Sequence, residues 1–290
     1  MQDRQGGGIA DAPAVTAIMT VYNGLPLVEQ AVDSLLGQDF DDFELVIVDD
    51  GSTDGTTEVL TRRTDPRIRL VRGAHVGRAV ALNHAVRLAR GRYLANLDAD
   101  DVALPGRLAL PARFLDEHPE VAVVGSGIQP FIGQEAGRRP RRLPRSDRAI
   151  RWSFLLRNPI FHSSATFRAS SVVEAGGYDP THTDVLVDAD LLLRLGRRYR
   201  LSNLDVPLAA KRLHPGQHFA AVDRRRRLVR HAACRLRAAR ELRFPAPLRP
   251  AAFIVAALGA ARSVVVIGLA GRSGGRRRAV RRPRGLKARP

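Results

Sequence analysis

The sequence predicts an α/β fold, an open, mostly parallel (mixed) sheet flanked by helices, with a basic helical C-terminal tail. Three observations lead there. Between Val15 and Val124, short apolar, β-branched runs alternate with segments of helical periodicity. The connections between them are only a few residues long. Three acidic or polar clusters, Thr20–Asn23, Asp49–Asp54 and Asp98–Asp101, fall where predicted strands end, and open α/β sheets bind ligands at the carboxyl ends of their strands.

The elements follow in order. Val15–Val21 (VTAIMTV) reads as a buried parallel strand. From about Pro26 to Gln38, Leu27, Val28, Ala31, Val32, Leu35 and Leu36 share one helical face. Phe43–Val48 is a second buried strand, after which Ser52 or Thr53 is expected to cap a helix running to about Arg63. Ile68–Val71 is a short strand. Gly77–Arg90 is a helix expected to turn Val80, Ala81, His84, Ala85 and Leu88 inward. Arg92–Leu97 is a strand that runs into Asp98, Asp100 and Asp101; Pro105–His118 is a helix and Val121–Val124 a strand. Residues 126–160, crowded with arginine and proline, read as a long loop over one sheet face. A helix is expected through Asp188–Arg197 and another, dense in arginine, through Arg224–Phe244. The organisation is thus a flexible N-terminus (1–13), a main domain (14–222) and an Arg-rich, partly apolar tail (223–290).

The net charge of +18 suggests nucleic acid until it is located. From Ala221 to Pro290 there are 20 Lys and Arg against 2 Asp and Glu, which leaves the first 220 residues neutral. Only Lys211 and Lys287 are lysines. A protein held to nucleic acid by its tail would bind with salt-dependent, nonspecific affinity. The neutral main body, the 5% aromatic content and the lack of a nucleic-acid module weigh against it. The single cysteine, Cys234, excludes a disulfide framework and a cysteine zinc site. No apolar leader precedes Val15, so the chemistry is expected in the cytoplasm. Ala251–Gly271 is apolar except at Arg262 and Ser263. An arginine near mid-membrane costs roughly 2.5–3.5 kcal/mol, about what the apolar residues return. A helix lying on an anionic membrane surface is therefore expected rather than a span, with the Arg276–Arg289 cluster on the headgroups.

Asp98-Ala-Asp100-Asp101 is the strongest chemical signal. Carboxylates so close repel one another unless a cation neutralises them, and a strand end that gathers them suits Mg²⁺ or Mn²⁺ with positions left for phosphate oxygens. The same string also suits a solvated acidic turn before Pro105, and spacing alone leaves both open. Asp49-Asp50-Gly51-Ser52-Thr53-Asp54 offers an acid for a base N–H or a ribose hydroxyl, or equally an Asx-turn and helix cap. No Walker segment and no G-x-G-x-x-G after the first strand is present, so ATP hydrolysis and dinucleotide redox chemistry lose weight. A nucleotidyltransferase would carry a basic loop after the first strand, where Tyr22-Asn23-Gly24-Leu25-Pro26 stands instead.

The run VTAIMTVYNGLPLVEQAVDSLLGQDFDDFELVIVDDGSTDGT, then VGRAVALNHAVRLARGRYLANLDADDVALPGRL, strongly resembles the nucleotide-sugar half of family 2 glycosyltransferases with the GT-A fold. NPIFHSSATFRASSVVEAGGYD, DVLVDADLLLRL and KRLHPGQH extend the resemblance to about two-thirds of the chain. The resemblance implies roles. Thr20 and Tyr22 match the strand end that packs on the nucleotide base, and Asp50 the acid that hydrogen-bonds it. Gly77, Arg78 and Asn83 match the segment lining the nucleotide and its phosphates. Asp98 and Asp100 match the D-x-D pair that meets the ribose and the metal-diphosphate, with Asp101 an adjacent acid. His214 matches a late histidine that completes the metal site or touches the diphosphate; a loop histidine closing the domain is the alternative. His162 matches a segment near the donor or acceptor pocket, where a satisfied structural histidine is the alternative. Trp152 and Phe154 are core residues or acceptor-side ones.

Asp188 matches the general base of inverting members, with Asp190 the competing candidate and helix capping an alternative duty. Relatives commonly carry Glu-Asp here; this chain has Val187 before Asp188, which opens the reading of a catalytically inactive relative. The Q-x-x-R-W signature of processive synthases is missing, which argues for transfer of single residues. The resemblance thus implies a metal-assisted, inverting transferase using a nucleotide-diphosphate sugar. Its expected acceptor is a cell-envelope, polysaccharide or lipid-linked glycan at the inner face of the membrane.

Overall fold

The computed structural model describes residues 12–132, 135–136, 140–181, 186–214 and 224–273. Nine strands form one mixed sheet. Its order is β3 (Ile68–Arg72), β2 (Phe43–Asp49), β1 (Val15–Val21), β4 (Tyr93–Asn96), β8 (Thr166–Arg168), β6 (Val121–Ile132), β9 (Arg200–Arg212) and β5 (Val102–Ala103), with β7 (Glu135–Ala136) beside β6. β1 is parallel to β2 and β4, β2 to β3, and β6 to β9. β8 runs antiparallel to β4 and β6, and β5 antiparallel to β9. The open, mostly parallel sheet read from the sequence is what forms.

Strand pairing alone places the site. β1, β2, β4 and β9 all end on one edge of the sheet, so their C-terminal residues converge there. β8 runs the opposite way, so the turn before it, the single 3₁₀ turn His162–Ser164, arrives at that same edge. Successive strand residues point to opposite faces, and the core divides accordingly. Val15, Ala17, Met19, Leu45 and Ile47 join Val28, Val32, Leu60 and Leu115 on one face, with helices α1 (Leu27–Leu36), α2 (Thr56–Thr61) and α4 (Ala109–Glu117). Ile18, Val46 and Val48 join Leu82, Phe154 and Leu191 on the other. That face carries α3 (Arg78–Leu88), α5 (Asp147–Phe154), α6 (Ala169–Glu174), α7 (Val187–Gly196), α8 (Arg224–Glu241) and α9 (Arg249–Ser273).

Four expectations are corrected. Ser52 and Thr53 do not cap α2; they clasp Asn23 at the end of β1, and Asp54 caps the helix through the Thr56 N–H at 3.0 Å. In α3 the buried residues are Ala79, Ala81, Leu82 and Ala85, while Val80 and His84 are half-buried. The region 126–160 is not all loop. β6 continues to Ile132, and α5 begins at Ser146, whose Oγ accepts the Ala149 N–H. Glycines at 125 and 127 hid the strand: a Cβ on Gly125 would lie 2.3 Å from Asn203 Oδ1. Nor is Arg151 a loop cation, since its guanidinium is buried on the carbonyls of Gly196 and Tyr199.

The tail helices share the core of the residues before them. Ala238, Ala239, Leu242 and Phe244 of α8 and its exit, and Ala252 and Ala256 of α9, pack with Phe154 and Leu195. No helix among the described residues is long and apolar enough to cross a membrane. Residues 1–11 and the Arg276–Arg289 cluster lie outside the described residues.

Gly91, just before β4, shows how closely the central strands approach. A Cβ there would sit 2.4 Å from the Thr16 backbone nitrogen in β1. Gly91→Ala must therefore separate the β1–β4 pair, and a loss of about 2–3 kcal/mol is expected in the urea-unfolding free energy.

Candidate active site

The end of β4 releases the chain as Leu97-Asp98-Ala99-Asp100-Asp101, and one carboxylate oxygen from each acid lies within 4.8 Å of the others. Each acid meets a different partner. Asp98 Oδ1 accepts Arg78 Nη2 at 2.6 Å and Asn96 Nδ2 at 3.3 Å. Asp100 Oδ2 lies 3.0 Å from His214 Nε2. Asp101 is fully buried; Oδ1 accepts the Arg212 N–H at 3.0 Å, and Oδ2 accepts Ser163 Oγ and lies 3.6 Å from Lys211 Nζ. Burial, with Asp98 and Asp100 crowding it, pushes the Asp101 carboxyl up to about 7 despite Lys211. Burial would also raise Asp98, but the Arg78 guanidinium overrides it and holds that carboxyl well below its ordinary range.

These donors fit a hard divalent cation. Asp100 and His214 face each other with no other hydrogen bond to the Asp100 carboxylate among the described residues, and an Asp98 oxygen lies close to the Asp100 carboxylate. Asp101 fits least, because both its oxygens are engaged; it ties the turn after β4 to the end of β9 and to the turn before β8.

Beneath the acids lies a buried polar frame. His162 Nδ1 receives Asn96 Nδ2 at 2.9 Å and Arg78 Nη2 at 3.0 Å, so that nitrogen carries no proton. Its Nε2–H then donates to the buried Tyr178 hydroxyl at 2.9 Å. His162 is thus a satisfied structural residue that holds Arg78 against Asp98. Arg107 is buried without a carboxylate partner. Its guanidinium donates to the carbonyls of Asn96, Ser163 and Ala165 and to Thr166 Oγ1. Burial lowers it to about 9, so it stays protonated at neutral pH.

The other strand ends complete the edge. Asp50 accepts the N–H groups of Val76 and Gly77 at 2.8 and 2.9 Å, so it shapes the loop leading into α3. Gly77 sits at φ +95°, which a side chain rarely adopts. Thr20 is half-buried at the end of β1, and the exposed Tyr22 ring lies 4.0 Å from that of His75, an aromatic pair at the strand-end edge. Asn83 faces away from it. Its amide is spent on the Tyr178 backbone, accepting the N–H and donating to the carbonyl, both at 2.7 Å.

The half-buried Asp188 stands in the first turn of α7, its Oδ2 accepting Asn158 Nδ2 at 2.6 Å. It lies within electrostatic reach of Arg78 and Tyr178. Asp190, the competing base, is buried and gripped by Arg194 and Arg237. A carboxylate so enclosed has no face for an incoming hydroxyl. Val187 packs in the core.

The model of glycosyl transferase family 2 matches residues 16–173, more than half of the chain. The chain belongs to glycosyl transferase family 2. It is 32% identical over 189 residues to the putative glycosyltransferase EpsE of Bacillus subtilis, covering 63% of this chain and 66% of that one. It is 29% identical over 170 residues to the amylovoran biosynthesis glycosyltransferase AmsE of Erwinia amylovora, covering 58% and 63%. These matches span just under two-thirds of the relatives' own length. Among solved structures, the mannosyltransferase PcManGT of Pyrobaculum calidifontis, in complex with GDP-Man and Mn²⁺, superposes at a TM-score of 0.62. It is 25% identical, over 90% of this chain and 76% of its own. S. aureus TarS 1–349 with UDP-GlcNAc, 19% identical over 82% and 70%, shares the fold at 0.63. Family membership and the GT-A fold are thereby shown.

Sequence reasoning missed Lys211, Tyr178, Asn158 and Arg107. Lys211 had a signal: it is one of two lysines among 47 basic residues, and here it reaches into the acids. The others had none that a single sequence displays. Arg107→Leu would remove the guanidinium donor from four buried acceptors, of which the Ala165 carbonyl keeps the Asn96 N–H. It should cost about 3 kcal/mol or more, read as a lowered urea midpoint.

Proposed function

We propose that this glycosyltransferase is inverting and metal-assisted. It moves one sugar from a nucleotide-diphosphate donor to a hydroxyl of a cell-envelope, polysaccharide or lipid-linked acceptor. One observation carries the reading. A cation-holding group (Asp98, Asp100, His214, with Arg78 and Lys211) and a separate carboxylate, Asp188, are brought together within electrostatic reach of the Arg78 guanidinium.

The base of the nucleotide packs at Thr20, Tyr22 and His75, with Asp50 and Gly77 forming the wall beside it. The diphosphate reaches Asp98 and Asp100, flanked by Arg78 and Lys211. Arg78 Nε is buried with no acceptor among the described residues, so a donor oxygen can take it up. Asp98, Asp100 and His214 would hold Mn²⁺ or Mg²⁺, which offsets the charge that grows on the departing diphosphate. Asp188 takes the proton of the acceptor hydroxyl as its oxygen bonds the anomeric carbon from the opposite side. The bond from that carbon to the diphosphate oxygen breaks in the same step. Asn158 fixes Asp188 Oδ2, and such a base contributes typically 10²–10⁴-fold.

The test is titration calorimetry of a donor panel, including GDP-mannose and UDP-N-acetylglucosamine, with and without Mn²⁺. Asp100→Ala should weaken metal-dependent donor binding more than about tenfold, or ~1.4 kcal/mol. Asp188→Asn should keep donor binding and lose about 10²–10⁴-fold in turnover. Donor affinity indifferent to Mn²⁺ and to Asp100→Ala would overturn the metal reading.

Residues 14–222 carry all of these groups, and the tail offers a second contact. The outer side of α9 exposes Ala251, Phe253, Ile254, Ala257 and Leu258 with no charge among them, and Arg240, Arg243 and Arg249 are exposed beside it. This fits an anionic lipid surface at the inner face of the cell membrane, where lipid-linked acceptors are presented. The protein should sediment with phosphatidylglycerol vesicles and not with phosphatidylcholine ones. Phe253→Asp with Ile254→Asp should abolish the effect.

A further inference from the structure

Asp190 stands in the same turn of α7 as Asp188, but it turns inward and is only 3% exposed. Its two oxygens serve two different elements. Oδ1 accepts Arg237 Nη1 from α8. Oδ2 accepts Arg194 Nε at 2.8 Å from the next turn of α7. Arg237 is itself oriented by Glu241 at 2.6 Å, four residues along α8.

Arg194 extends the contact. Its remaining nitrogens donate to the carbonyls of Ala175 and Gly177, the latter at 2.6 Å. Gly177 precedes Tyr178, whose backbone Asn83 clasps from α3 and whose hydroxyl receives His162. His162 in turn meets Arg78, and Arg78 meets Asp98. An unbroken run of charge-assisted and neutral hydrogen bonds therefore leads from α8, past the turn that carries Asp188, to the first acid of the metal cluster. Packing holds α8 in place: Ala238, Ala239 and Leu242 are buried, and Leu242 Cδ2 would lie 2.8 Å from a Cβ on Gly196 at the end of α7.

The first turn of α7 depends on this clamp. The residue before it, Leu186, sits at φ +72°, a strained conformation for leucine that persists only where its surroundings fix it. We propose that Arg237 is a positioning residue for sugar transfer. Through Asp190 it fixes the first turn of α7, and so the aim of Asp188. Through Arg194 it steadies the Tyr178–His162–Arg78 wall of the donor side. The tail helix is then a working part of the active site and not only an appendage. The inference rests on the reading of Asp188 as the base.

The test uses the full chain and its Arg237→Gln, Arg237→Lys and Asp188→Asn forms. Turnover is read as nucleoside diphosphate released from GDP-mannose and UDP-N-acetylglucosamine with water as acceptor. Donor affinity is read by calorimetry, and local opening by hydrogen–deuterium exchange. Arg237→Gln should lower kcat by about 10- to 100-fold, the scale of an ångström-sized misplacement, with donor Kd within about threefold. Exchange should quicken in 187–196 and 175–181 and stay unchanged in 15–61. Arg237→Lys, which keeps the charge and loses the fork, should fall between the two.

Unchanged kcat and unchanged exchange in Arg237→Gln, beside an inactive Asp188→Asn, would overturn this inference alone. An active Asp188→Asn would overturn the base assignment. Equal losses of kcat, donor affinity and folded fraction in Arg237→Gln would mark Arg237 as merely structural and also overturn it. Should Arg237→Gln not fold, Arg237→Lys decides by the same readings. If water proves too poor an acceptor for the parent enzyme, exchange at the two segments decides.

Discussion

Three carboxylates at the end of one short strand would drive one another apart, and the fold is arranged around preventing it. Each acid is met from a part of the chain distant in sequence: Asp98 by Arg78 of α3, Asp100 by His214, Asp101 by the last residues of β9 and by Ser163. The consequence is a division within four residues. Asp98 is held ionised, whereas Asp101 is pushed toward neutrality by its burial and its neighbours. Arg78 and Lys211 stand against these acids, and a hard divalent ion beside Asp98 and Asp100 would relieve the repulsion between that pair.

The antiparallel strands are what make these long-range contacts possible. In an all-parallel sheet only strand C-termini and the following loops reach the ligand edge. Reversing β8 brings a strand N-terminus there, and with it the His162–Ser164 turn. Arg107 then crosses beneath that turn and collects the carbonyls of two strand ends. A cation serves here because it donates several hydrogen bonds from one planar group. The same side chain stitches β4 to β8 where their ladder stops.

Much of this was legible in the sequence, for physical reasons. Buried parallel strands are continuous apolar runs, so Val15–Val21 and Phe43–Val48 declared themselves, and the acids after Leu97 read as a strand-end group, either cation-holding or a solvated turn. What stayed hidden depends on tertiary contact. In the Asp49–Asp54 string, the sequence could not say which acid turns outward. Asp49 and Asp54 are occupied by local turns, and Asp50 alone reaches the loop before α3. Nor could it separate Asp188 from Asp190. Both lie in one turn, and only the arginines of two helices, one of them 47 residues away, mark Asp190 as enclosed. The strand through Gly125 and Gly127 lost its pattern because a neighbouring asparagine fills the space a side chain would need.

Arginine carries two opposite duties in this chain, and position in the fold decides between them. At Arg240, Arg243 and Arg249 it is an exposed surface cation. At the buried Arg107 and Arg151 and the part-buried Arg194 and Arg237 it is a connector that satisfies backbone carbonyls and carboxylates from neighbouring elements. A lysine in those places would bring a point charge without the planar fork, and could not join two or three elements at once. Lys211 is the counter-case. Its single ammonium faces the acids from the end of β9, 3.6 Å from Asp101 Oδ2. The composition that first suggested nucleic acid is therefore better understood residue by residue: part of it ties the elements around the acid cluster together, and part is exposed where α8 meets α9.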